Sequence, residues 1–275
     1  MFLEKKILIN LEKISNSLEF LANKKKQKEF SLKTGFLDWD CKKKKLRSLN
    51  VTHNIQLKML LNIEEQKKIV LKNTIQFAKG YPANNILLWG GRGTGKSSLI
   101  SLVFHKVYKE YKISMVEIRN SHLENLGFLI EKLSVSKEKY IIFCDDFSFN
   151  YKEKNLSIFK NILDGSLRKF SNIIFYATSN YRHMVKDHKE ENPNKILEKE
   201  KFEDISALSD RFGIWLSFPS FDKKTFIKVV NNYCKLYALD YEKDLLEKKA
   251  LEWRLNRGSS SGREASNFIK YVISH

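Results

Sequence analysis

The chain has 275 residues, of which 42% are hydrophobic and 30% are charged, and this length suits one substantial globular core with a smaller attached unit. No apolar run approaches the ~20 residues that a membrane span needs, and the first residues contain no secretory apolar segment, so we expect a cytoplasmic protein. The three cysteines are scattered and predict neither a disulfide framework nor a zinc cluster.

The formal net charge of +18 predicts a basic surface, which favours polyanionic partners on physical grounds. However, 41 of the 50 basic residues are lysines, and such a composition is also typical of an AT-rich coding sequence. Two interpretations therefore stay open. The lysines form a solvated surface, or part of them contacts nucleic acid.

Residues 1–50 are predicted to form a separate, basic, helical element. Apolar residues recur there at spacings of three and four, which places them on one helical face: Ile7, Leu11, Ile14, Leu18 and Leu21. An aromatic patch at Phe36, Leu37 and Trp39 precedes a lysine run at 42–45. This element is either a solvated cap over the main domain or a docking surface for a partner or a nucleic-acid backbone.

Residues 51–219 are predicted to form the main α/β domain. Strand-like runs at 85–89, 113–118, 140–144, 172–178 and 214–218 alternate with helical runs such as 97–110 and 157–170. This alternation predicts a parallel five-stranded sheet with helices on both faces, that is, a three-layer αβα sandwich. Residues 220–275 have only helical patterns, at 222–237, 241–256 and 262–274, and are predicted to form a helical lid.

A complete phosphate-binding pattern, G-x-x-x-x-G-K-[ST], lies between the first predicted strand of this domain and the helix after it. Its glycines allow backbone N–H groups to approach phosphates, and the helix adds its positive amino-terminal end. Lys96 is expected to contact the β- and γ-phosphates and Ser97 to bind Mg²⁺. The predicted ATP-binding residues of this loop are Gly90, Gly91, Arg92, Gly93, Thr94, Gly95, Lys96, Ser97 and Ser98.

Two adjacent carboxylates, Asp145 and Asp146, follow the buried strand at 140–144. An acid at the carboxyl end of a strand beside a phosphate-binding loop is the usual Mg²⁺ partner, so we assign Asp145 to the metal, through a coordinated water. Asp146 then orients or deprotonates the attacking water. The alternative is that the two acids only cap the next segment.

The succession of these motifs resembles the AAA+ ATPases, a P-loop NTPase family. Tyr176-Ala177-Thr178-Ser179-Asn180 resembles sensor 1, and Ser209-Asp210-Arg211-Phe212-Gly213 resembles the arginine-finger box. Gly262-Arg263-Glu264 resembles sensor 2. The resemblance implies that Asn180 positions the water or the γ-phosphate, that Arg211 is the finger, and that Arg263 contacts ATP from the lid. The region from Arg211 to the lid also resembles the bacterial replication initiator DnaA.

Longer signatures resemble the bacterial ATPase family catalogued as domain of unknown function 815, over roughly residues 50–275. They are the segments 82–90, 143–149, 176–180, 208–213 and 261–263. The resemblance implies the AAA+ fold and an ATPase activity with ATP and Mg²⁺.

The main departure from the general AAA+ pattern is Asp146, because the second acid is usually a Glu. The carboxylate of Asp146 is one methylene closer to the backbone, which predicts slower hydrolysis. Arg211 and Arg263 could instead be surface or salt-bridging arginines. As a finger, Arg211 acts on a neighbouring subunit's γ-phosphate, which predicts a homo-oligomer.

Three functions are compatible with the sequence. The first is an ATP hydrolase that drives a conformational change on a protein or nucleic-acid client. The second is a nucleotide-gated binding module with slow or no hydrolysis. The third is a P-loop phosphotransferase, which a finger and two sensors disfavour. By analogy with the AAA+ linker, the adenine is expected against residues 60–63.

Overall fold

A seven-stranded sheet lies at the centre of the computed structural model, which describes residues 34–53, 55–147, 170–180 and 211–274. The order of its strands is β2-β1-β4-β5-β6-β3-β7, and every neighbouring pair is parallel except β1 with β2. The strands are β1 Phe36–Asp40, β2 Lys45–Ser48, β3 Ile86–Gly90, β4 Ile113–Ile118, β5 Lys139–Cys144, β6 Ile173–Ser179 and β7 Ile214–Phe218.

Helices cover both faces of the sheet and form the carboxyl-terminal lid. The described helices are α1 Glu64–Ala78, α2 Lys96–Val107, α3 Leu126–Ser134, α4 Lys223–Leu236, α5 Lys243–Arg257 and α6 Gly262–Ser274, with short 3-10 helices at Leu57–Met59 and Asn120–Asn125. None of these helices has the length and apolar character needed to cross a membrane.

The two sides of the sheet form two separate cores because successive side chains of a strand point to opposite faces. Leu87 packs with Leu129 and Leu133 of α3 on one side. Its neighbours Ile86 and Leu88 pack with α1 and α2 on the other. All seven residues of β6 are buried, as expected for a central strand of a parallel sheet. The predicted α/β sandwich is therefore confirmed.

The predicted strand count was wrong, and so was the helical prediction for residues 36–48. Besides the five predicted strands, this segment forms the antiparallel hairpin β1–β2, and β1 pairs in parallel with β4. The reason is a period-two pattern: Leu37 and Trp39 are buried while their neighbours are half-exposed. The turn is closed by Asp40, whose carboxylate accepts a hydrogen bond from the Lys43 N–H (3.0 Å). Residues 1–33, and residues 157–169 of the helix predicted at 157–170, lie outside the described residues.

The lid has a third core of its own. Phe226 and Val230 of α4 pack with Leu246 of α5 and with Phe268 and Ile269 of α6. Helix α4 begins at a capped end, since the Asp222 carboxylate accepts a hydrogen bond from the Thr225 N–H (2.7 Å). Helices α4–α6 therefore pack as one unit with a core separate from those of the sheet.

Candidate nucleotide-binding site

The loop from Gly90 to Gly95 connects β3 to α2 in a conformation that requires glycine. Gly90 has φ +137°, and a Cβ at this position would lie 2.3 Å from the Phe218 carbonyl oxygen of β7. Gly93 has φ +71°, and its Cβ would lie 2.8 Å from the Ser261 side chain. The predicted loop is therefore held between a strand of the sheet and the start of the lid. The Thr94 hydroxyl, which donates to the Gly91 carbonyl oxygen (2.9 Å), closes the turn.

Lys96 begins α2 and extends back over this loop. Its Nζ donates to the carbonyl oxygens of Gly90 (3.0 Å) and Gly91 (2.7 Å) and to Asn180 Oδ1 (2.9 Å). Only 5% of the residue is exposed. Burial lowers the pKa of the Lys96 ammonium to about 8, although Asp145 and Asp146 oppose the shift. An anion beside this ammonium would favour its charged form and raise the pKa again.

Asp145 lies beside the loop at the carboxyl end of β5, as predicted. Its Oδ1 accepts a hydrogen bond from the Ser97 hydroxyl and another from the Thr178 hydroxyl (2.6 Å). The two oxygen-bearing groups assigned to Mg²⁺, on Ser97 and Asp145, are thus in direct contact. Hydroxyl and carboxylate oxygens are ligands that Mg²⁺ prefers, so the residues present fit the metal.

Asp146 adopts a left-handed backbone conformation, with φ +51°. Its N–H donates to the Thr178 hydroxyl (2.9 Å), and its carboxylate accepts a hydrogen bond from the Asn180 amide. A left-handed conformation at a residue other than glycine is sparsely populated and is often found at functional sites. Asp146 and Asn180, predicted from separate motifs, form one pair facing the loop.

Thr178 is a site residue that the sequence analysis did not select. Its hydroxyl donates to the carboxylate of Asp145 and accepts from the backbone of Asp146, and the residue is 1% exposed. It therefore sets the relative positions of both acids from the neighbouring strand β6. Its place two residues before Asn180 in the sensor 1 motif was the only available signal.

A cavity of about 590 Å³ brings most of the predicted residues together between the sheet edge and the lid. Among the described residues, four basic and two acidic side chains line it, a positive balance that suits a polyphosphate: Arg92, Lys96, Arg263, Lys270, Asp145 and Asp146. Thr94, Ser97, Ser98 and Asn180 line it as well. Gly90 and Gly91 contribute through their carbonyl oxygens, which hold Lys96.

The lid contacts the loop directly at the start of α6. The Gly262 N–H donates to the Gly93 carbonyl oxygen (2.8 Å), and Arg263 follows at the cavity wall. Apolar side chains line the cavity as well, namely Ile55, Met59, Leu60 and Val229. Of the segment expected near the adenine, Leu60 lines the cavity, whereas Ile63 is buried in the core beneath α1 and α2.

Arg211 lies apart from the other predicted residues. It precedes β7, and β7 runs parallel to β3, so Arg211 is at the amino-terminal edge of the sheet. The cavity lies at the opposite edge, and a five-residue strand separates the two edges by roughly 15 Å. Arg211 does not line the cavity of its own chain.

Comparisons with known proteins agree with this architecture. A family model described as "Protein of unknown function (DUF815)" matches residues 33–275. No curated protein matches the sequence.

Three solved structures of AAA+ P-loop ATPases are similar in fold. They are the Thermotoga maritima RuvB Holliday junction branch migration motor (16% identity, TM-score 0.53), the Aeropyrum pernix ORC1 protein in complex with DNA (14%, 0.53) and C. elegans PCH-2 (18%, 0.51). The alignments cover 76%, 78% and 79% of this chain but only 61%, 63% and 64% of those proteins, respectively. Similarity at this level of identity shows the AAA+ fold alone.

Proposed function

The chain belongs to the DUF815 family, and we propose that it is a Mg²⁺-dependent ATP hydrolase of the AAA+ type. The observation that supports this best is the convergence of three pairs in one cavity. Lys96 is bonded to the loop, Ser97 to Asp145, and Asn180 to Asp146. Hydrolysis needs a group for the phosphates, a group for the metal and a group for the water, and these pairs supply them.

Triphosphate binding would rest on Lys96 and on the backbone of the loop. Three hydrogen bonds, to two carbonyl oxygens of the loop and to Asn180, hold the Lys96 ammonium at the wall of the cavity. The loop N–H groups and the amino-terminal end of α2 add partial positive charge. Arg92 and Arg263 line the same cavity and would contact phosphate oxygens.

Mg²⁺ would be held by the Ser97 hydroxyl and, directly or through water, by the Asp145 carboxylate. When bound, the metal neutralises charge on the phosphate oxygens. The hydrogen bond from Thr178 fixes the orientation of Asp145 at this place.

Asp146 is proposed to orient the attacking water and to accept its proton. Asn180 donates to the same carboxylate and also accepts from Lys96, so the water-activating acid and the phosphate-binding lysine share one amide. This amide bridges the two groups. Since Asp146 is shorter than the usual Glu and engages Asn180, we expect slow turnover.

The lid would convert the state of the nucleotide into movement. Arg263 is one residue beyond the contact between Gly262 and Gly93, so a change at the phosphates alters the position of α6. We propose that this movement acts on a protein or nucleic-acid client. Because Arg211 lies at the far edge of the sheet, its role as a finger requires a second subunit, and we propose a homo-oligomer.

A nucleotide-gated binding module is the second candidate, and the engaged carboxylate of Asp146 favours it. Phosphate release from ATP with Mg²⁺ separates the two candidates. We expect wild type to release phosphate, Asp146→Asn to bind ATP but release phosphate at least tenfold more slowly, and Lys96→Ala to lose both functions. Lys68→Ala, at an exposed lysine of α1, is the matched control and should behave as wild type. If wild type and Asp146→Asn both release phosphate only at the background rate, the hydrolase is refuted and the binding module is the better proposal.

The finger has its own test, because two defective variants can complement each other. Arg211→Ala should slow hydrolysis with nearly unchanged ATP affinity. Mixing Arg211→Ala with Asp146→Asn should restore activity, since mixed oligomers contain a site with an intact Asp146 facing an intact Arg211. Full activity of a monomeric Arg211→Ala protein would refute the role in trans.

A further inference from the structure

Helix α6 presents a polar face to the nucleotide cavity beyond Arg263. Ser266, Asn267 and Lys270 follow at spacings of three, four and seven residues, and all three line the cavity with Arg263. The opposite face of the helix, with Ala265, Phe268 and Ile269, is buried in the lid core. The direction of the polar face is therefore fixed by packing.

The positions along α6 lie at different distances from the loop. The helix starts at the phosphate-binding loop, where the Gly262 N–H donates to the Gly93 carbonyl oxygen (2.8 Å). One turn further, Ser266 is hydrogen-bonded to Tyr233, which lines the cavity from α4. Lys270 lies another turn away, roughly 10 Å along the helix axis from Arg263. Arg263 is thus at the phosphate end, and Lys270 is not.

Lys270 has no hydrogen bond or ion pair with a residue that the structure describes, in contrast to Lys96 with its three acceptors. The four basic side chains in the cavity already include three near the loop, namely Arg92, Lys96 and Arg263. The fourth, Lys270, lies two helical turns further along α6 than Arg263. Asn267, beside it, has an amide with both donor and acceptor atoms.

We propose that Lys270, assisted by Asn267, contacts the nucleoside half of the bound nucleotide and makes the lid selective for nucleoside triphosphates over inorganic polyphosphate. This inference rests on the proposed nucleotide site and adds a specificity-determining role for the lid. An ammonium donates three hydrogen bonds, and ribose oxygens and base nitrogens are its acceptors in a nucleoside. Tripolyphosphate has the phosphates of ATP but none of those acceptors, so it engages Arg263 without engaging Lys270.

The test compares the binding of ATP and of inorganic tripolyphosphate, each with Mg²⁺, by isothermal titration calorimetry at ~0.15 M salt, where long-range charge effects are screened. For Lys270→Ala, we expect about tenfold weaker ATP binding, equivalent to one charged hydrogen bond, and tripolyphosphate binding within twofold of wild type. Arg263→Ala should weaken both ligands. Lys248→Ala, at an exposed lysine of α5 outside the cavity, is the matched control and should change neither.

The outcomes separate this inference from the proposed function. If wild type binds ATP and Lys270→Ala binds it equally well, the role of Lys270 is refuted while the nucleotide site stands. An equal loss for ATP and tripolyphosphate would also refute it, because Lys270 would then act on the phosphates. A wild-type protein that binds neither ligand would instead refute the nucleotide site itself.

Discussion

The carboxyl-terminal edge of the sheet and the lid line the same cavity but are built differently. At the sheet edge, Lys96, Asp145 and Asn180 are each hydrogen-bonded to another side chain of the site. On the lid, Arg263 and Lys270 line the cavity without a hydrogen bond or ion pair to any described residue. Polar side chains that already have partners are pre-organised, whereas Arg263 and Lys270 are exposed side chains.

This difference suggests a division of labour between the two regions. The sheet edge holds the groups of the proposed chemistry in one geometry. The lid, with a separate core, approaches the sheet edge at the loop through the hydrogen bond between Gly262 and Gly93, and a second contact joins Asn62 to Thr225. Leu61 also packs against the core of the lid. Substitutions at the junction, at the sheet edge and within the lid should therefore have distinct effects.

The largest effect is expected at the junction. Gly93→Ala would introduce a Cβ 2.8 Å from the Ser261 side chain at a residue with φ +71°, so both the loop and the start of the lid must shift. We expect ATP affinity to fall roughly 10- to 100-fold, since each tenfold loss corresponds to about 1.4 kcal/mol. Titration calorimetry measures it. Gly127→Ala is the control, because a Cβ there meets nothing within 4 Å, and alanine favours its helix. Unchanged ATP binding by Gly93→Ala would show that the lid is not coupled to the loop.

An intermediate effect is expected at the sheet edge. Thr178→Val keeps the shape of the side chain but removes the hydroxyl that joins Asp145 and Asp146. We expect kcat for ATP hydrolysis to fall about tenfold, which corresponds to losing one or two hydrogen bonds, while the affinity for ATP stays near that of wild type. Thr178→Ser restores the hydroxyl and should recover most of the rate. If serine and valine are equally slow, the hydroxyl is not what positions the acids.

The smallest effect is expected within the lid. Asp222→Ala removes the cap of α4, and we expect Tm to fall by roughly 2–4 °C with little change in ATP affinity. Differential scanning calorimetry measures the shift, and Asp222→Asn, which keeps an acceptor oxygen, is the control.

The cap also predicts a pH dependence. The hydrogen bonds from Thr225 lower the pKa of the Asp222 carboxyl from 3.8, so its contribution to stability is present above pH 3.8 and is lost as the pH falls through the lower pKa of the folded state. The Asp222→Asn variant has no carboxyl group at this position, so its stability should not show this loss at low pH. A wild type and an Asn variant with identical Tm values from pH 7 to pH 3 would contradict it.

Local patterns were sufficient for much of this molecule. Strands β4 and β7 and helix α6 have the predicted ends, β5 begins one residue earlier than predicted, and β3 and β6 are each shifted by one residue at both ends. The loop from Gly90 to Ser97 was recognisable because its glycines, lysine and serine act through a contiguous backbone. Asp145 and Asp146 were recognisable because a buried apolar strand ends immediately before them. The hairpin β1–β2 was missed because a short aromatic and lysine-rich segment shows no long period, and its pairing partner β4 is distant in sequence.

The sequence by itself therefore determined the parallel sheet, the conformation of the glycine-rich loop and the place of the two acids, since each depends on the order of neighbouring residues. Only the tertiary structure decided which side chains act on one another. Strand β6 lies between β5 and β3, and this order places Thr178 against Asp145 and Asn180 between Lys96 and Asp146. The parallel direction of β7 places Arg211 at the far edge, and the packing of α6 turns Lys270 toward the cavity. Such relations depend on strand order and helix packing, which contacts distant in sequence create.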